Sequence, residues 1–140
     1  MSSTRLPGKV LAELGATSIL ASTVQAAHQA KQVDMVVVAT STQPEDHVVA
    51  AAARDLGAEV VRGPLDDVLS RFVLVSRTFP SEVLVRLTAD CPLTDPALVD
   101  QCISLWRKDK SLDLVSNSIT RTYPRGFDVE VISRKALLAA

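Results

Sequence analysis

Val83-Leu84-Val85-Arg86-Leu87-Thr88-Ala89-Asp90-Cys91-Pro92-Leu93-Thr94-Asp95-Pro96 contains the end of one structural element and the start of another. Val83 to Leu87 is a nearly all-apolar run of strand length, and the polar stretch from Thr88 stops it. Asp95 before Pro96 is a cap and first-turn pair, which opens a helix expected to run to about Lys108. A strand covered on both faces and followed by a helix is the repeating half of a βαβ unit.

The same alternation extends in both directions. Met35 to Ala39, Glu59 to Val61, Leu112 to Val115 and Val129 to Ile132 are further short apolar runs. Ser18 to Lys31 carries Ile19, Leu20, Val24 and Ala27 at helical spacing, with Thr17 or Ser18 as N-cap. From Pro44 to about Leu56 the punctuation is stronger: Pro44 suits a first turn, Glu45 and Asp46 complement the helix dipole, and Gly57 can close the helix. Asp66 to Phe79 reads as another helix, ended by Pro80. There is no repeat, low-complexity tract or linker, so residues 1–140 read as one α/β domain around a mostly parallel sheet.

Both ends read as cut. Ser133 to Ala140 is a capped helix of only two turns, and the chain opens on a Pro-Gly-Lys loop with no strand ahead of it. In open α/β sheets a phosphate loop normally follows a strand, whose end aims it at the crevice.

Composition excludes several functions. Lys and Arg number 15 against 16 for Asp and Glu, a net charge of -1 that supplies no global field for nucleic acid. Cys91 and Cys102 are too far apart for a C-x-x-C motif and too few for a disulfide framework, which points to a reducing cytoplasm. The N-terminus lacks the apolar core of a signal peptide, and no apolar run approaches the ~18 residues that span a bilayer, so no membrane association is expected.

Ligands of such sheets bind beyond the carboxyl ends of the strands. The residues there are polar: Thr40-Ser41, Arg62-Gly63, Thr88-Ala89-Asp90 and Ser116-Asn117, a pattern that ordinary turns also produce. Near the N-terminus, Arg5 and Lys9 flank Leu6-Pro7-Gly8, putting two cations and a permissive glycine within five residues, as in a polyphosphate grip. It is not a Walker loop, because Val10 follows Lys9. On spacing alone the segment is equally a solvated tail. Asp90 could offer a hard oxygen to Mg²⁺ or simply cap a turn. Cys91 has neither His28 nor His47 placed as a base, so it reads as an inert thiol. The long loop from Ser116 to Glu130 offers Arg121, Tyr123 and Arg125 to a sugar or its anionic group, whereas Asp128 and Glu130 alternate with Val129 and Val131 as on a half-exposed strand.

Together these segments resemble a known family. Ser3-Thr4-Arg5-Leu6-Pro7-Gly8-Lys9 is similar to the triphosphate-binding signature of the cytidylyltransferases that make CMP-activated sugars. Val38-Ala39-Thr40-Ser41, Arg62-Gly63 with Asp67-Val68-Leu69-Ser70-Arg71, Arg86 to Leu93 and Thr122 to Val131 resemble, in order and spacing, the branch represented by spore coat polysaccharide biosynthesis protein F. The resemblance covers nearly the whole chain. It implies a three-layer α/β/α, Rossmann-like nucleotide-diphospho-sugar transferase fold, here lacking its first strand. That strand is central, between those represented by Met35 to Ala39 and Val83 to Leu87.

It also implies roles. Arg5 and Lys9 would act on the triphosphate as catalytic cations, Ser3 and Gly8 belong to the nucleotide loop, Thr40 and Ser41 lie near the base or ribose, and Asp90 holds Mg²⁺. Arg62 and Arg71 match arginines near the nucleotide pocket, and Arg121, Tyr123 and Arg125 remain the acceptor candidates. The implied reaction transfers CMP from CTP to a sugar or sugar phosphate in polysaccharide or spore-coat sugar biosynthesis, with release of pyrophosphate. Segments beyond Ala140 would add a further metal ligand and homodimer contacts in an intact family member. Two other readings stay open: a truncated nucleotide-binding fragment without catalytic role, and a nucleotide-sugar enzyme that uses UTP or GTP.

Overall fold

A computed structural model describes residues 8–140. Among these residues seven strands and five helices follow one another as the sequence pattern suggests, with two short additions near the start. Lys9–Leu11 forms a 3₁₀ turn, and β1 (Glu13–Leu14) and β2 (Thr17–Ser18) make a small antiparallel hairpin. Its reversal needs Gly15, whose φ of 63° belongs to the left-handed region.

Helix α1 (Ile19–Gln29) starts where Ser18 accepts the Ala21 N–H, the second of the two expected caps. β3 (Val37–Ser41) leads through a 3₁₀ turn at Pro44–Asp46 into α2 (His47–Asp55), which Gly57 closes at φ 78°. β4 (Glu59–Gly63) precedes α3 (Val68–Thr78), capped by Asp67 on the Ser70 N–H. β5 (Val83–Arg86) precedes α4 (Pro96–Lys108), whose N-cap Asp95 accepts from Ala97. β6 (Leu114–Ser116), β7 (Glu130–Ser133) and α5 (Arg134–Ala139) complete the chain.

The helices form two layers. α1 packs with α2 and α4, α3 packs with α5, and the strands lie between, giving the expected α/β/α sandwich. Strand pairing is mixed. β3 and β4 are parallel in the register Val37↔Glu59, whereas β5, β7 and β6 form an antiparallel sheet with β7 in the middle. The long 117–129 loop reverses the chain between β6 and β7, and a reversal needs no crossover helix.

β3 and β5 are not hydrogen-bonded to each other. Both instead line a cavity of about 1090 Å³, at the position where the resemblance implies a central strand. The core is correspondingly double. Leu20, Val24, Val49 and Ala58 pack behind β3, while Leu98, Val99, Ile103, Trp106, Val129 and Val131 pack behind β5 and β7.

Candidate nucleotide site at the strand ends

The loop at the amino end of the described chain turns on Gly8, whose φ of 71° and ψ of 10° no bulkier residue adopts easily. Its carbonyl accepts the Leu11 N–H at 2.9 Å, which fixes the 3₁₀ turn and aims Lys9 at the carboxyl end of β5. There the Lys9 ammonium contacts the Asp90 carboxylate.

Asp90 is held by a tight turn. The Cys91 N–H donates to the Thr88 carbonyl at 3.0 Å, and the Cys91 carbonyl accepts from the Thr94 hydroxyl at 2.8 Å and from Thr23 of α1 at 3.3 Å. The hydrogen bond from Lys9 holds the Asp90 carboxyl below its ordinary value, and partial burial opposes that shift without reversing it. Cys91 lies 2.8 Å from the Thr88 hydroxyl, and no histidine is among its hydrogen-bond partners.

Arg71 reaches the same cavity as Lys9 and Asp90. Its Nη1 donates to the Pro64 and Leu65 carbonyls at 2.9 and 3.1 Å, and its buried Nε finds no partner among the described residues. A cation so anchored leaves donor capacity for an anion. Its stem lies against Gly63, where any Cβ would sit 2.9 Å from Arg71 Cγ.

Thr40 and Ser41 are buried at the end of β3. The Ser41 hydroxyl donates to Asp46 at 2.5 Å, and Arg62 Nε donates to the Ser41 carbonyl at 2.8 Å. Arg62 therefore grips this turn directly. Sequence reasoning gave Asp46 only the part of a charge that complements the helix dipole and missed its bond to Ser41. The available signal was a serine at a strand end followed five residues later by aspartate across a Pro-containing turn.

The loop after β6 stands apart. Arg121, Tyr123 and Arg125 are exposed and do not line the cavity. Arg121 is engaged with Asp128 through two hydrogen bonds of 2.6 and 3.2 Å, and Asn117 closes the loop base on the Phe127 carbonyl and the Val129 N–H. Glu130 pairs with Arg86 at 2.5 Å across β5 and β7, in line with a sheet position. Ser3 and Arg5 lie outside the described residues. The structure thus gathers Lys9, Arg71 and Asp90 at one cavity and Ser41 and Arg62 at one turn.

Among the described residues there is no group of three His, Cys, Asp or Glu side chains able to hold a metal ion alone. One carboxylate still suits Mg²⁺, which often keeps one or two protein carboxylates and takes its other oxygens from phosphates and water. Among those residues, too, no helix is long and apolar enough to cross a membrane.

A family model described as cytidylyltransferase matches residues 1–124. The spore coat polysaccharide biosynthesis protein SpsF of Bacillus subtilis is 42% identical over 107 residues, covering 74% of this chain and 45% of that protein. A 3-deoxy-manno-octulosonate cytidylyltransferase of Anaeromyxobacter dehalogenans is 35% identical over 102 residues, covering 71% and 40%. Among solved structures, a cytidylyltransferase from Leptospira borgpetersenii superposes with a TM-score of 0.94 at 32% identity, covering 99% of this chain and 59% of that one. The chain spans about half the length of the curated relatives it matches.

Proposed function

We propose that this chain, which belongs to the cytidylyltransferase family, carries the nucleotide half of an enzyme that transfers CMP from CTP to a sugar or sugar phosphate. The observation that carries this reading is the meeting of Lys9 and Asp90 at the carboxyl end of β5, with Arg71 lining the same cavity, a set of two cations and one hard carboxylate. Such a set suits a triphosphate far better than an apolar ligand.

In the reaction an acceptor oxygen attacks the α-phosphorus of CTP, and where the acceptor is a hydroxyl its proton passes to water. The bond from that phosphorus to the β-phosphate oxygen breaks, and pyrophosphate leaves. Phosphoryl-type transfer asks a protein for alignment and charge neutralisation more than for covalent help. Lys9 would neutralise charge growing on the departing oxygens, and Gly8 lets backbone N–H groups come close to them. Arg71 would hold a phosphate from the α3 side, with Arg5 and Ser3 completing the loop. Asp90 would hold Mg²⁺, which supplies charge stabilisation on phosphate oxygens when bound. Arg121, Tyr123 and Arg125 are assigned to the acceptor, and polysaccharide or spore-coat sugar biosynthesis is the setting the SpsF likeness suggests. Two free thiols accord with the cytoplasm.

The test is calorimetric titration of the chain with CTP, UTP, GTP and ATP in the presence of Mg²⁺, followed by pyrophosphate release with a panel of 2-keto sugar acids and sugar phosphates. Preferential CTP binding is expected. Equal binding of all four, or preference for UTP or GTP, would move the reading to another nucleotide-sugar enzyme, and no binding at all would remove it.

A further inference from the structure

The turn that ends β3 is built around a charge. Asp46 is only 4% exposed, and its carboxylate accepts the Ser41 N–H at 3.2 Å and the Ser41 hydroxyl at 2.5 Å. With its proton given to Asp46, the Ser41 oxygen is free to accept the Gln43 N–H at 3.1 Å. From β4, Arg62 donates to the Ser41 carbonyl at 2.8 Å and to the Gln43 carbonyl at 2.9 Å, while the Thr42 N–H reaches the Gly63 carbonyl at 2.9 Å.

The N–H groups of residues 41–43 and the Ser41 and Gln43 carbonyls are thereby committed to the protein, and Ser41, 1% exposed, cannot itself touch a ligand. The exposed side chains here are Thr42 and Gln43. A buried carboxylate is costly unless fully hydrogen-bonded, and hydrogen bonds to an ionised group are about twice as strong as neutral ones. A charge at this place holds the turn more rigidly than a neutral residue would.

We infer that Asp46 and Arg62 are positioning residues of the nucleotide site, which fix the Ser41–Gln43 turn so that Thr42 and Gln43 meet the base or ribose of a pyrimidine nucleotide as a preformed surface. The inference rests on the CTP reading above. A hydroxyl and a carboxamide offer donors and acceptors at fixed places, and fixed places are what tell one pyrimidine edge from another. A loosened turn adjusts to either base.

The experiment compares wild type, Asp46→Ala, Asp46→Asn and Ser41→Ala by calorimetric titration with CTP and with UTP, well below each melting temperature. Asp46→Ala is expected to weaken CTP binding by about tenfold or more, the scale for losing a supporting partner, and to bring the CTP and UTP affinities together. Asp46→Asn, which keeps an acceptor oxygen for the Ser41 hydroxyl but not the charge, should recover only part of the affinity and selectivity. If Asp46→Ala does not fold, Ser41→Ala decides, because it removes the hydroxyl link without removing a charge. Wild-type selectivity in both Asp46→Ala and Ser41→Ala, or in Ser41→Ala alone where Asp46→Ala does not fold, would overturn this inference and leave the CTP reading standing. A wild-type chain that binds neither nucleotide would remove both.

Discussion

The Lys9 ammonium and the Asp90 carboxylate meet although 81 positions separate them in the chain, and both side chains keep part of their surface in water. The contact ties the glycine loop to the end of β5. A substrate phosphate and its counter-ion would have to share or divide this pair.

That gives a kinetic expectation for the whole enzyme. Lys9→Ala should lower kcat by about 10²-fold or more, the usual scale for one preorganised electrostatic group, with little change in fold. Asp90→Asn should raise the Mg²⁺ concentration needed for activity while nearly preserving metal-free nucleotide binding. Pyrophosphate release across a Mg²⁺ titration measures both, and unchanged kinetics in the two variants would remove the assignment.

The same pair sets a response to acid. Asp90 has its carboxyl value lowered from 3.8, mainly by the hydrogen bond from Lys9. A group lowered on folding adds stability above its unfolded value and loses it as pH falls through the folded one. Wild type should therefore melt above Asp90→Asn near neutral pH, and the gap should close below pH 3.8. A gap that stays constant down to strong acid would assign the stabilisation to something other than ionisation.

Gly63 should be intolerant of a side chain for reasons of space, since its Cβ would come within 2.9 Å of Arg71 Cγ. Gly63→Ala is expected to cost about 1–3 kcal/mol by overpacking. In an Arg71→Ala background most of that cost should vanish, a coupling that urea midpoints of the four chains would reveal.

Trp106, the single tryptophan, is 5% exposed and donates its indole N–H to the Leu112 carbonyl at 3.1 Å. Trp106→Ala should cost about 3–5 kcal/mol, and Trp106→Phe less, though it leaves the Leu112 carbonyl without that donor. Denaturant titration followed by circular dichroism would test the order.

Hydrogen exchange should expose the break between the sheets. Among the described residues β3 pairs only with β4, and β5 only with β7. Successive N–H groups of a strand point to alternate edges, so protection along both strands should alternate with a period of two. Uniform slow exchange along β3 would show that its inner edge is covered in solution.

How much of this the sequence revealed depended on how local each cause was. α4 was legible from cap to end because Asp95, Pro96 and the heptad-like spacing of Leu98, Val99, Cys102, Ile103 and Trp106 all act within one helix. The β1–β2 hairpin was not, since two-residue strands have no period to read. Nor was the antiparallel order of β5, β7 and β6, which depends on where a long loop returns the chain. Lys9, Arg71 and Asp90 were each named from the sequence, but their convergence is tertiary. Asp46 was read only as a complement to the helix dipole, because its burial and its bond to Ser41 depend on how the turn folds.

Should the two halves of the core melt as separate cooperative units, α1 would be their shared member: Leu20 and Val24 belong to one, and its C-cap Ala30 to the other. Heat absorbed on melting would then spread over two overlapping transitions instead of one. A nucleotide that touched the β3 turn and Asp90 together would belong to both units and tie their melting into a single event. The width of the calorimetric peak, and not only its position, would report whether the site is occupied.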